Sequence, residues 1–139
     1  MDLEPFCPRY HHAVELLGRR WSGGIVRAML AGQSRFSELK TAIPGLSDRL
    51  LSERLKELEA EGVVVRTVIA DKPVRVEYEL TDKGRDLAGA VAAISAWADK
   101  WIEPPDPSWR PAGASPPVEQ AEPATTTRRR RAAGSARKR

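Results

Sequence analysis

The sequence predicts a mainly helical α+β domain with one small β-hairpin. Three observations lead to that fold class. Apolar residues recur at helical spacing between capping residues and glycine stops through residues 8–62. The period then drops to two in VVVRTVI and RVEYEL, which flank the turn-rich pentapeptide ADKPV. A last helical run, 82–102, follows Thr81.

The elements follow in order. Pro8 suits a first helical position with Cys7 before it as N-cap, and RYHHAVELLG runs to a stop at Gly18. Ser22 is the candidate cap of a second helix through Ala31, bounded by Gly32. FSELKTAI reads as a short third helix, with Ser37 as cap, Leu39 and Ile43 facing inward, and Pro44-Gly45 ending it. Ser47 caps a fourth helix, 47–60, which Gly62 terminates. Its turn of 3.6 residues puts Leu51, Leu55 and Leu58 on one side and Arg49, Ser52, Glu53 and Lys56 on the other. In the second strand Val76, Tyr78 and Leu80 face one way and Arg75, Glu77 and Glu79 the other. Thr81 caps the final helix, where Leu87, Val91, Ile94, Ala98 and Trp101 follow coiled-coil spacing with Trp97 beside them. That apolar seam requires a partner.

Helices joined by a tight turn and followed by a hairpin make a winged helix-turn-helix, whose helix after the turn enters the major groove of double-stranded DNA. Arg49 is the candidate base reader, because a guanidinium bonds bidentately to guanine. Ser47 and Ser52 are placed for phosphates, Lys56 for either, and Asp48 shares the same first turn. Arg54 points toward the edge of the leucine face and reads as structural, paired to Glu57 or Glu38. Arg66, Lys72 and Arg75 on the hairpin either follow the phosphate backbone or enter the minor groove. The alternative is a solvated hairpin whose cations pair with Glu77 and Glu79.

Charge divides the chain. Residues 104–139 hold eight of the 23 basic and three of the 19 acidic residues, a net of +5, leaving 15 basic against 16 acidic, a net of −1, for residues 1–103. Nucleic-acid binding by the folded part therefore depends on where its cations sit. Residues 104–127 are rich in Pro, Ala, Ser and Thr and read as a disordered extension, ending in RRRRAAGSARKR, either a solvated tail or a non-specific phosphate-binding arm. The organisation is thus one DNA-binding and dimerisation domain, 1–103, and a tail, 104–139.

No apolar run is long enough for a membrane span and the N-terminus has no secretory pattern, which predicts a cytosolic protein. Phosphate loops, serine motifs and paired metal ligands are missing, so the reading is not an enzyme and needs no cofactor. Cys7, His11 and His12 lack the further ligands of a tetrahedral metal set.

The segments Cys7-Pro8, Gly18 to Trp21, RFSELKTAIPGLSDRLLSERLKELEAEGVVVRTV, PVRVEYELTDKGRDL and the tryptophan helix are similar to the HxlR-type winged-helix transcriptional regulators, relatives of the MarR group. The resemblance covers roughly residues 7–101. It implies a homodimer on an inverted repeat, with the first and last helices forming the interface, and the chain reads as a repressor or autoregulator. Leu87, Val91, Ile94, Trp97, Ala98 and Trp101 are then the dimer residues. The family includes members that sense oxidants or aldehydes through a cysteine at this Cys-Pro position, which makes Cys7 the sensor candidate. The unpaired N–H groups of a first helical turn favour a thiolate there, whereas a buried lone cysteine is inert.

Two positions depart from the family pattern. Ser22-Gly23-Gly24 replaces bulky aliphatics, and each glycine costs about 1 kcal/mol of helix propensity. Close packing would account for the glycines, as would a pocket for a small-molecule effector with Cys7 inert. Val65 stands where a polar residue is common, which leaves the register of the first wing strand open.

Overall fold

The computed structural model describes Met1 and residues 3–110. The arginine-rich arm expected at the C-terminus lies outside the described residues. Six helices and one hairpin follow in the order α1 (Pro8–Gly18), α2 (Ser22–Leu30), α3 (Phe36–Ala42), α4 (Asp48–Ala60), β1 (Val64–Ile69), β2 (Arg75–Leu80), α5 (Asp82–Arg85) and α6 (Ala88–Trp101). The architecture is mainly helical with an antiparallel wing, as the sequence predicts.

The helix ends show which local signals operate. Ser47 Oγ accepts from the Leu50 N–H at 3.2 Å and starts α4. Gly62, at φ +74°, ends it in a Schellman turn in which the Val63 N–H reaches Leu58 O at 2.9 Å. Gly32, at φ +104°, closes α2 in the same way, with the Gln33 N–H on Ala28 O.

Two expected caps are corrected. Trp21, at φ +77°, takes the N-cap of α2, and Ser22 is buried as the first helical residue, its N–H bonded to Arg19 O. The tight reversal out of α1 dictates this, and it holds a bulky residue in left-handed backbone, a strained conformation. For α3 the N-cap is Arg35. The carboxylate of Glu38 folds back to accept from the Ser34 and Arg35 N–H groups at 2.9 and 3.0 Å, so the third helical residue supplies the cap and Ser37 lies within the helix.

The core is formed by Ile25, Val26 and Met29 of α2, Leu39 of α3, Leu46 in the turn, and Leu51, Leu55 and Leu58 of α4. Val63, Val64 and Leu80 at the foot of the wing complete it. Burying a leucine contributes roughly 1.5–3 kcal/mol, so the three leucines of α4 anchor that helix and leave its opposite face free. The wing register pairs Val64 with Leu80 and Ile69 with Arg75, and Val65 with Glu79, which settles the strand left open above. The outer edge of β2 is tied to the chain before α3, where the Tyr78 N–H donates to Ser34 O at 2.7 Å.

The expected single helix over 82–102 is divided. Thr81 caps α5 as predicted, accepting from the Gly84 N–H at 3.2 Å. The backbone then tightens, with the Leu87 N–H on Gly84 O, before α6 begins at Ala88. Buried Gly84 is pressed against the carbonyl of Val63, and Leu87 turns toward the core, so α5 stays docked at the wing's foot while α6 departs along α2. Among the described residues no helix is long and apolar enough to cross a membrane.

Candidate nucleic-acid interface

The face of α4 opposite its leucines carries Arg49 and Lys56, both exposed, with Ser52 half-buried between them. The Arg49 side chain is 88% exposed and its Nε donates to Glu53 Oε1 at 3.1 Å, one turn along the helix. An exposed pair of this spacing contributes only about 0.3–0.5 kcal/mol, less than the roughly 1–3 kcal/mol of a bidentate guanine contact. Glu53 therefore holds Arg49 only weakly.

Asp48 Oδ1 lies 3.2 Å from Lys40 Nζ, and the same ammonium donates to Leu46 O. This tie closes the turn between α3 and α4, so Asp48 is occupied within the protein. Arg54 is held as the sequence suggests: its Nε donates to Arg20 O at 2.7 Å and its Nη1 to Glu57 Oε1 at 3.2 Å.

On the wing, Arg66 and Lys72 are exposed and have no ion-pair partner among the described residues. Arg75 is different. Its Nη2 lies 3.4 Å from Asp71 and its Nη1 4.0 Å from Glu77, and its Nε is buried without a partner. Glu77 also faces Arg35 Nε at 3.9 Å. Arg35, at the base of the wing, escaped the sequence reading; its only signal was its place before the third helix.

Exposed apolar side chains gather on the two terminal helices. Ile94, Trp97 and Trp101 stand out from α6, and Phe6, Tyr10 and Val14 line α1 and its approach at helical spacing. Leu87 and Val91 pack against the core, and Ala98 is half-buried. The predicted seam thus has an inward upper part and an outward lower part.

Cys7 is exposed at the N-cap of α1, in extended backbone, and its thiol makes no capping bond. His11 pairs with Glu15 at 3.2 Å, and its ring lies 5.5 Å from that of Phe6. Among the described residues no group of three or more His, Cys, Asp or Glu could hold a metal. A Cβ on Gly23 would come 3.2 Å from Leu17 O, the close approach of α1 and α2. Gly24 is exposed, and a Cβ there meets nothing within 4 Å.

Residues 16–106 match the model of the HxlR-like helix-turn-helix family. The chain is 55% identical over 104 residues to the uncharacterized HTH-type transcriptional regulator YvaP of Bacillus subtilis, covering 75% of this chain and 96% of that protein. The reduced form of the transcriptional regulator YodB from B. subtilis superposes with a TM-score of 0.64 at 44% identity, over 73% of this chain and 99% of that one. The quinone-bound form of YodB superposes with a TM-score of 0.60 at 41% identity, over 69% of this chain and all of that one. Both relatives are transcriptional regulators. On the family match and on identity over most of its length, the chain belongs to the HxlR-like, MarR-related helix-turn-helix family of DNA-binding regulators.

Proposed function

We propose that the protein is a sequence-specific repressor that binds an inverted-repeat operator as a homodimer and is released by a thiol-reactive electrophile at Cys7. The observation that carries the DNA reading is the outer face of α4: a serine-capped helix, anchored by three leucines, presents Arg49 and Lys56 to solvent just after the turn. Arg49 reads a base, Ser47, Ser52 and Lys56 hold phosphates, and Arg66 and Lys72 extend the contact along the wing. Two-fold symmetry puts the half-sites ~34 Å apart or a multiple of that. The exposed apolar side chains of α1 and α6, Trp97 and Trp101 among them, support the dimer.

An exposed thiol at a helix start supports the switch, as does the quinone-bound state of a relative 41% identical in sequence. The close approach at Gly23 favours packing over an effector pocket there.

The deciding experiment compares binding to the DNA upstream of the protein's own gene with binding to random duplex, at two salt concentrations, for wild type and Arg49→Ala. Wild type should prefer the upstream DNA, and Arg49→Ala should lose about 1–3 kcal/mol of that preference. Equal binding to all DNA that salt removes would overturn base reading by α4.

A further inference from the structure

Glu57, on the flank of α4 one turn after Glu53, accepts from two guanidiniums. Arg54 Nη1 of the same helix lies at 3.2 Å and Arg19 Nη1, at the end of α1, at 2.7 Å. Arg54 also bonds to Arg20 O. Nearer the start of α1, His12 Nε2 lies 2.9 Å from Glu61 Oε1. The links join 12 to 61, 19 to 57 and 20 to 54, an antiparallel polar ladder from the first helix and the turn that ends it to α4 and its C-cap.

The ladder bridges a gap. A cavity of about 290 Å3 lies between its rungs, lined by His12, Glu15, Leu16, Arg19, Glu57 and Glu61 among others. A second, of about 150 Å3, lies beneath the same helix beside Leu17, Val63 and Leu87. No residue of α1 is fully buried. Leu16 and Leu17 are only partly buried against the core, and apolar contact has little directionality, whereas charge-assisted hydrogen bonds fix orientation.

We propose that Glu57 is a positioning residue for DNA binding: by joining Arg19 to Arg54 it sets the pose of α4 relative to α1, so that displacement of α1 alters what α4 can read. The inference rests on the DNA-binding reading and adds the path by which the first helix acts on the recognition helix.

Arg19→Ala and Glu57→Gln test it, because simple charge predicts opposite effects. Losing a guanidinium weakens attraction to phosphate, and losing a carboxylate strengthens it. The ladder predicts that both variants, still folded with wild-type unfolding midpoints, lower the ratio of operator to random-duplex affinity by about five-fold or more. The double variant should do no worse than either single one, and Arg19→Lys should restore the ratio. Opposite shifts on all DNA alike, or unchanged ratios, would overturn the proposal. If the wild-type protein itself fails to discriminate, the DNA reading falls, and hydrogen exchange of the full chain without DNA then tests the ladder. Glu57→Gln should speed exchange in α1 relative to β1 and β2, and unchanged α1 protection would overturn the link itself.

Discussion

Gly84 of α5 and Val63 at the foot of β1 are packed backbone against backbone. A Cβ at position 84 would fall inside the contact distance of Val63 O and lie 3.0 Å from Leu80 Cδ2. The same corner is bound by the Thr81 N–H on Val63 O at 3.0 Å and by Lys83 Nζ on Glu61 O at 2.7 Å. Gly84→Ala should therefore cost about 1–3 kcal/mol, since backbone cannot yield as a side-chain end can. Thermal unfolding measures it, and an unchanged midpoint would show that α5 is free to shift outward.

Glu38 makes stability depend on pH in a stated direction. The Ser34 N–H, then the Arg35 N–H, hold its carboxyl below the usual carboxylate range. A depressed folded value means that the stabilisation is complete above the unfolded carboxyl's value and is lost as pH falls through the folded one. Glu38→Gln should lower the unfolding midpoint at neutral pH, and the gap from wild type should close in acid. A gap independent of pH would show that the charge has no part in the cap.

The wing cations divide by their partners. Arg66 and Lys72 are open to phosphate, so alanine at either should weaken binding to operator and random duplex alike and lower the salt slope by about 0.9. Arg75 is engaged with Asp71 and Glu77, and Arg75→Ala should leave the slope nearly unchanged. Affinity titrations over a salt series separate the two classes. A slope that falls only for Arg75→Ala would reverse the assignment.

Cys7→Ser should bind operator as wild type does but resist release by a quinone, which should reduce wild-type affinity about ten-fold or more. Gel-shift titration with and without the quinone reads this directly. Release of the serine variant at the same dose would transfer sensing away from the thiol.

Much of this was legible because it is local. Pro8, Ser47, Thr81 and Gly62 act on the backbone within one turn of themselves, and the leucines of 47–60 announce their buried face by spacing alone. Where a neighbouring group competed for the same place, the local signal misled, and so it did where a contact distant in the chain intervened. Ser22 and Ser37 look like caps, but the reversal at Trp21 and the returning carboxylate of Glu38 took those places. The tryptophan helix reads as one continuous run because its helical spacing persists through Asp86 and Leu87, while the contact that divides it lies with Val63, more than twenty residues earlier.

The candidate site divides along the same line. Sequence by itself determined the helix-turn-helix order, the outward face of Arg49, Ser52 and Lys56, the hairpin that carries Arg66 and Lys72, and the place of Cys7 at a helix start, since periodicity and capping require only neighbours in the chain. Only the tertiary structure decided which charges are already engaged, Asp48 with Lys40 and Arg75 with Asp71 and Glu77. It alone turned Leu87 and Val91 onto the core and left Ile94, Trp97 and Trp101 outside, and it alone joined Arg19 to Glu57. Pairing and burial depend on distances between segments far apart in the chain, and those are set by how the helices pack.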